Sequence, residues 1–128
     1  MLKGKDILDF VLKNRRGKAF AGFSTFDIMS TIQDSDSVNG LGMVVNDNNQ
    51  LIALAIGFPY ENSHGKFLHI HSILTARENS QGGLKALLKL FLQRFPGFTI
   101  SARRKGKFSV YSNTPKLLKR LWVTSDKQ

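Results

Sequence analysis

The sequence predicts a single α+β domain over residues 1–128. Three observations predict it: helical spacing of apolar residues before residue 34, strand-like apolar runs within residues 41–75, and an amphipathic helix followed by further strand-like segments. The length of 128 residues supports one domain, because a single hydrophobic core stops growing only beyond roughly 250 residues.

Two helices are predicted before the strands. Apolar residues at helical spacing mark the first helix, over Asp6–Leu12, with Asp6 as its cap. The second begins at a cap formed by Ser24 or Thr25 and ends near Gln33, and the polar segment Asp34–Gly40 follows as a loop. The residues predicted to face the core from the second helix are Phe26, Ile28, Met29 and Ile32.

Strands are predicted in the middle of the chain. Leu41–Val45 and Leu51–Phe58 form a hairpin around Asp47–Asn49, because Asn and Asp tolerate the positive φ of a tight turn. Pro59–Gly65 is a longer connection to the strand Lys66–Thr75. In that strand, alternation predicts one face with Phe67, His69, His71, Ile73 and Thr75, and the other with Leu68, Ile70, Ser72 and Leu74.

Periodicity in the C-terminal part predicts an amphipathic helix over Leu84–Phe95, then a strand over Phe98–Ala102, while Phe108–Tyr111 is strand-like but is not counted as a separate element. The basic segment Arg103–Lys107 is a loop or a strand extension, and a last helix covers Asn113–Trp122. The predicted order is therefore ααβββαβα, with a mixed central sheet flanked by helices and one βαβ crossover. The predicted buried stripe of the amphipathic helix is Leu84, Leu87, Leu88, Phe91, Leu92 and Phe95.

Composition excludes several classes of protein. The absence of cysteine rules out a disulfide scaffold, a thiolate metal site and a cysteine nucleophile. No apolar run approaches the roughly 20 residues of a membrane span. Acidic residues interrupt the apolar N-terminal stretch, which no secretory signal would allow, so we expect a cytoplasmic protein without a membrane partner.

The net charge of +10 is concentrated at the two ends of the chain, and the middle is close to neutral. Such asymmetry attracts anions such as nucleic acid or an acidic protein, although a basic solvated surface is the simpler explanation. Near Phe108 and Tyr111 the mixture of charge and rings suits nucleic acid. The basic residues concerned are Arg103, Arg104, Lys105, Lys107, Lys116, Lys119 and Arg120.

A strand that enters a helix through a polar, glycine-containing turn is typical of an anion site. The first N–H groups of a helix lack intrahelical partners, and glycine lets a phosphate approach the backbone. Gly82 and Gly83 lie at this position, although two glycines before a helix are more often structural. The segment lacks both the P-loop and the G-x-G-x-x-G pattern.

The order of elements and this segment together resemble the GNAT superfamily of acetyl-CoA-dependent N-acetyltransferases, and the short chain looks like small phage-encoded members. The family loop is commonly written V-x-P-x-x-R-G-x-G-x-G-x-x-L-L. On that pattern Gly82 takes the middle glycine, whereas Asn79, Ser80 and Leu84 depart from it. The resemblance implies acetyl-CoA as cofactor, with a pyrophosphate cradle at residues 80–84 and backbone groups near Leu74 and Ala76 on the pantetheine arm. The cofactor-binding residues that it implies are Leu74, Ala76, Asn79, Ser80, Gln81, Gly82, Gly83, Leu84 and Asn113.

Direct transfer to an amine, on a small molecule or a protein, needs a base and an acid. The family's usual carboxylate and tyrosine are missing at their positions, so His71 is the candidate base and Tyr111 the candidate acid. A packed histidine pair and a half-buried strand-end tyrosine are the alternatives. His69 and His71 also share the spacing of metal ligands on a strand, but we expect no metal, because no third partner is suitably spaced.

Two functions therefore stay open. The first is an N-acetyltransferase, and the second is an inactive GNAT-like protein that binds nucleic acid or a protein through its basic C-terminal residues. Family members usually continue into two further strands that wall the acceptor site. Here that groove is open, is closed by a second copy in a homodimer, or has no acceptor to bind.

Overall fold

The computed structural model describes residues 4–15, 20–76, 80–104 and 107–112. Within them the order of elements is ααβββαββ, so two strands follow the third helix where the predicted order has one, because residues 107–112 form a strand that pairs antiparallel with the strand before it. The last predicted helix, over Asn113–Trp122, lies outside the described residues. The elements are α1 (Gly4–Asn14), α2 (Thr25–Ser37), β1 (Leu41–Val45), β2 (Leu51–Asn62), β3 (Gly65–Thr75), α3 (Ser80–Arg94), β4 (Thr99–Arg104) and β5 (Lys107–Ser112).

The five strands form one sheet in the order β1-β2-β3-β4-β5. Neighbours pair antiparallel except β3 and β4, which run parallel and are joined through α3. The prediction of an α+β domain with a mixed sheet and one βαβ crossover is confirmed. For the basic segment Arg103–Lys107, the alternatives are a loop and a strand extension. Its described residues extend strands: Arg103 and Arg104 belong to β4, and Lys107 belongs to β5.

Helices cover both faces of the sheet and build a core on each. The core under α1 and α2 contains Ile7, Phe10, Val11, Phe20, Ile28, Ile32, Leu41, Leu54, Ile56 and Leu74. The core under α3 contains Ala53, Ala55, Leu68, Ile70, Leu87, Phe91, Phe95 and Ile100. In the part of the chain that the structure describes, every helix falls short of the length and hydrophobicity that crossing a bilayer requires.

The starts of the first two helices differ in how well the sequence predicts them. Ser24 is the N-cap of α2: it accepts a hydrogen bond from the Asp27 N–H, and the Asp27 carboxylate accepts one from the Ser24 N–H. The cap of α1 is predicted wrongly, because that helix begins at Gly4 and Asp6 lies within its first turn. Phe26 is also wrong as a core residue, since 78% of its surface is exposed.

The second helix is longer than its polar sequence suggests. The predicted loop Asp34–Gly40 is helical up to Ser37. The physical reason is tertiary: Ser35 is buried, and its hydroxyl bonds to the backbone of Gly57 on β2. The hydrogen bonds that Ser35 makes to a buried backbone stabilise this last turn of the helix, although the polar sequence of the turn is typical of a loop.

The hairpin between β2 and β3 reaches further than predicted. Pro59–Gly65, predicted as a long connection, consists of strand residues around a tight turn at Ser63 and His64. Pro59 is tolerated in β2 because β1 pairs with β2 only as far as Ile56, so no neighbour on that side needs a proline N–H. The Asn62 side chain closes the turn by accepting a hydrogen bond of 2.8 Å from the His64 N–H.

A β-bulge in β3 changes which residues share a face. Ile56 pairs with Ser72, but Gly57 pairs with Ile70, so His71 is an extra residue opposite β2. The predicted alternation is therefore wrong beyond His71. Leu68 and Ile70 belong to the core under α3, whereas Leu74 belongs to the core under α1 and α2.

The third helix begins at Ser80, so the predicted turn before Leu84 is already helical. Gly83 explains the close approach: a Cβ there would lie 2.8 Å from the Cβ of Ala53 on β2. The predicted buried stripe is largely confirmed, with Leu84 and Leu92 only half-buried. Its fully buried members are Leu87, Leu88, Phe91 and Phe95.

Candidate functional site

The candidate site lies where β3 and β4 stop pairing. Their parallel ladder ends at Ile70 and Ala102, immediately before the bulge at His71. Both strands continue, β3 to Thr75 and β4 to Arg104. The backbone of β3 beyond Ile70 therefore turns polar groups toward β4 without a ladder partner from that strand.

Two residues of β3 present those backbone groups. The Ala76 N–H donates a hydrogen bond of 2.8 Å to the Ile52 carbonyl, so Ala76 faces β2. Backbone groups of a strand alternate between its two neighbours, which assigns Leu74 to β2 as well and leaves Ile73 and Thr75 facing the β4 side. The predicted residues Leu74 and Ala76 thus face β2, and the backbone groups on the β4 side belong to their neighbours Ile73 and Thr75.

The start of α3 follows the same end of β3. Ser80, Gln81 and Gly82 form its first turn, in which N–H groups have no acceptor within the helix. Gly82 is exposed, and a Cβ built on it meets no atom of the described residues within 4 Å, so a ligand has room to approach the backbone there. Gly83 has a packing role instead, against Ala53. Two further predicted cofactor residues, Asn79 and Asn113, lie outside the described residues.

His71, at the bulge, is surrounded by aromatic rings. Its ring centroid lies 5.4 Å from that of Phe20, 6.1 Å from Phe23 and 6.3 Å from Phe58. Its Nδ1 is 2.7 Å from the Ser72 hydroxyl, which the bulge brings to the same face. Part of the His71 ring remains accessible to solvent.

These surroundings lower the pKa of His71 below its ordinary value of 6.5. The larger cause is desolvation by the neighbouring side chains, and the smaller is the charge of His69 on the same strand. A lowered pKa keeps the imidazole neutral near pH 7, the state in which it accepts a proton. Among the described residues, the site thus holds a neutral, partly exposed base beside backbone of β3 that has no ladder partner on β4.

The other predicted polar residues lie at different distances from His71. His69 Nδ1 is 3.1 Å from the hydroxyl of Ser101, which is fully buried on β4. Tyr111 pairs with Ile100, which pairs with Leu68. Two strand spacings and three residues thus separate the Tyr111 and His71 backbones by roughly 14 Å.

The metal-ligand alternative has no support in the described ranges, where no three His, Asp or Glu side chains come together in a way that would hold an ion. An open cleft of about 370 Å³ lies elsewhere, between α1 and the β1–β2 turn, and it is lined by Asp6, Asp9, Lys13 and Asn49 among others. It shares no lining residue with the β3 bulge.

Of the basic residues predicted to bind nucleic acid, the structure describes the backbone of three, Arg103, Arg104 and Lys107. Arg103 pairs with Phe108, and Arg104 pairs with Lys107, so the backbone brings the basic residues of β4 and β5 together around residues 105–106. The remaining predicted contacts, Lys105, Lys116, Lys119 and Arg120, lie outside the described residues.

Sequence reasoning found His71 but missed the residues around it. Phe20 and Phe23 come from the segment before α2, and no spacing in the sequence links them to β3. The position of Phe58 near His71 is predictable in principle, because a β2–β3 hairpin places Phe58 opposite His69. Ser72 was assigned to the wrong face, since alternation alone cannot reveal a bulge.

The arrangement therefore joins three parts: a helix N-terminus with room for an anion, a stretch of β3 backbone with no ladder partner on the described part of β4, and a neutral histidine. No known family, curated protein or solved structure matches this chain. What the site does chemically follows from its own residues.

Proposed function

We propose that the protein is an acetyl-CoA-dependent N-acetyltransferase that acts by direct transfer to an amine. One observation carries the proposal: the bulge at His71, the end of the β3–β4 ladder and the start of α3 lie at one end of β3. The start of α3 suits the diphosphate of an elongated ligand, the β3 backbone beyond the ladder suits its pantetheine arm, and His71 suits the amine that attacks its thioester.

The described residues fit such a ligand. The first-turn N–H groups from Ser80 to Gly82 would hold its pyrophosphate, helped by the partial positive charge of the helix start. The backbone groups of Ile73 and Thr75 that face the β4 side would bond to the amides of its pantetheine arm. When bound, acetyl-CoA supplies an acetyl group activated as a thioester.

His71 removes the proton from the acceptor amine. When Nδ1–H donates to the Ser72 hydroxyl, 2.7 Å away, Nε2 carries the lone pair. The aromatic neighbours hold the ring in place, and desolvation lowers its pKa, so the neutral form predominates near pH 7. Tyr111 stays the predicted acid for the leaving thiolate. Its backbone is far enough from that of His71 that the bound amine and thioester have to lie between the two residues.

Calorimetry with acetyl-CoA tests the cofactor site. We expect binding in the micromolar range, and Gly82→Leu should weaken it by about tenfold or more, because a side chain there blocks the open backbone. The matched control is Gln93→Leu, at an exposed position near the other end of α3. Absence of binding at millimolar acetyl-CoA would overturn the proposal. An unchanged affinity in Gly82→Leu would show that the pyrophosphate does not bind at the start of α3.

Release of free CoA in the presence of small amines or lysine peptides tests the chemistry. His71→Gln keeps a polar side chain and removes the base, so the rate should fall by about two orders of magnitude or more while acetyl-CoA affinity is retained. An equal rate in wild type and His71→Gln would remove His71 from the reaction.

A second candidate function is supported by the hairpin of β4 and β5, whose register joins Arg103 and Arg104 to the strand that begins at Lys107. In this alternative the protein does not catalyse, and its basic residues bind nucleic acid or an acidic protein. It predicts no acetyl-CoA binding, together with retention on a polyanion that falls steeply with salt.

A further inference from the structure

An aromatic row crosses the face of the sheet that carries His71. It consists of Tyr60, Phe67, Phe58, His71 and Phe23. Tyr60 and Phe67 are cross-strand neighbours whose rings stack at 5.1 Å with an interplanar angle of 12°.

The members of the row share one face. Leu68 lies between Phe67 and His69 and belongs to the core under α3, so Phe67 and His69 point to the opposite face. Phe58 pairs with His69 there, two residues and roughly 7 Å along the strands from the Tyr60 pair. From Phe58 the row continues to His71 and on to Phe23.

The row is accessible to a ligand at both ends. Tyr60 keeps 39% of its surface exposed at the hairpin end, and Phe23 keeps 37% beside His71. His71 is itself partly exposed, and Phe58 and Phe67 are half-buried. Rings that stay partly exposed are costly in water, and stacking of planar ligands on them removes that cost.

Charge decides which planar ligand fits. The strand next to this part of β3 is β4, and its sequence continues into Arg103 and Arg104 beyond the ladder. The net charge of +10 is carried largely by the C-terminal part of the chain, from β4 onward. A row of rings beside a cationic strand offers stacking to bases and attraction to phosphates, the combination that unpaired nucleic acid requires. An acidic protein would use the charge but not the rings.

We propose that the aromatic row binds single-stranded nucleic acid, with bases stacked on Tyr60 and Phe23 and phosphates toward β4. The proposal concerns binding alone and does not depend on transfer of an acetyl group. Duplex nucleic acid should bind more weakly, because its bases are already stacked on one another and do not reach the rings.

Fluorescence anisotropy with labelled oligo(dT) tests the proposal at several salt concentrations. Tyr60→Leu keeps an apolar side chain and removes the ring, so affinity should fall by about tenfold. Tyr60→Phe should restore it, because stacking needs the ring and not the hydroxyl. The matched control is Phe26→Leu, an exposed ring off the row, and it should bind as wild type does.

Three outcomes would overturn the proposal: no binding of oligo(dT), equal binding of Tyr60→Leu and wild type, or equal competition by polyglutamate, which carries charge without bases. Thermal unfolding of Tyr60→Leu checks that the fold is retained, and Phe23→Leu, which removes the other exposed ring of the row, gives the same test if it is not. Acetyl-CoA affinity should be unchanged in both Tyr60 variants, so failure here is separable from failure of the transferase proposal.

Discussion

The Ser35 hydroxyl makes two hydrogen bonds to the backbone of Gly57. It donates to the Gly57 carbonyl at 2.7 Å and accepts from the Gly57 N–H at 3.1 Å. Both residues are buried, and the Gly57 N–H also lies 2.9 Å from the carbonyl of Gly40. A Cβ at Gly40 would overlap the Gly57 carbonyl oxygen, so the end of α2 packs directly on the backbone of β2.

Ser35→Ala should lower the free energy of unfolding by about 1–3 kcal/mol, because it leaves a buried carbonyl without its hydroxyl donor. Chemical denaturation measures the change. The matched control is Ser37→Ala on the same helix, whose hydroxyl bonds to the Asp34 carbonyl in an exposed position and should cost within about 0.5 kcal/mol. Equal effects of the two variants would contradict the role of burial.

Gly83→Ala should destabilise the protein by about 1–3 kcal/mol, since the added methyl group would crowd the Cβ of Ala53 at 2.8 Å. The neighbouring variant Gly82→Ala meets open space and should raise stability by up to about 1 kcal/mol, because alanine orders the helix better than glycine. Thermal unfolding of the pair gives the comparison. Stabilisation by both substitutions would show that α3 does not approach β2 as closely as described.

The lowered pKa of His71 makes stability depend on pH. In the unfolded chain this histidine takes up its proton near pH 6.5, but the folded protein resists protonation until the pH is lower. The contribution of His71 to stability is therefore fully present above pH 6.5 and is lost as the pH falls through the folded pKa. Denaturation from about pH 7.5 to about pH 5 should show this loss in wild type and a smaller one in His71→Phe.

The same pKa shift has a kinetic consequence. A base that stays neutral below pH 6.5 should support acetyl transfer into mildly acidic solution, so the rate should fall only at a lower pH than for an unshifted histidine. The pH profile of CoA release measures it. Phe58→Leu opens the surroundings of His71 and should move the profile toward higher pH, and a profile that does not move would separate catalysis from His71.

Arg94→Met should cost about 1–3 kcal/mol. The Arg94 guanidinium donates to the carbonyls of Asn39 and Leu41, at 3.0 and 2.7 Å, and so joins the end of α3 to the start of β1 and to the turn before it. Gln93→Met, at an exposed position beside it, is the control and should be nearly neutral. Urea denaturation of the two variants checks the difference.

Local pattern was enough to predict most of the sheet. Residues 41–45, 51–58 and 66–75 alternate or are rich in apolar residues, and all are strands. The exceptions have tertiary causes. Pro59 suggested a break, yet it lies in β2 beyond the end of the pairing with β1. The polar residues around Ser35 suggested a loop, yet Ser35 bonds to a backbone that is distant in sequence.

The candidate site was predictable only in part, for a similar reason. The strand that carries His71 and the helix after it follow from periodicity, and the glycines mark the helix start. The aromatic neighbours of His71 come from the segment before α2 and from β2, so only the folded chain brings them together. The different roles of Gly82 and Gly83 depend on Ala53, which no local rule connects to them.

The extra residue in β3 lets one strand serve two layers of the molecule. Before His71 the even-numbered side chains support the layer with α3, and after it they support the layer with α1 and α2. Removing Ile73 outright, rather than replacing it, would move Leu74 to the opposite face of the strand and out of its core. The length of this strand is therefore as constrained as its composition, and a one-residue deletion here should harm folding more than any single replacement at the same place.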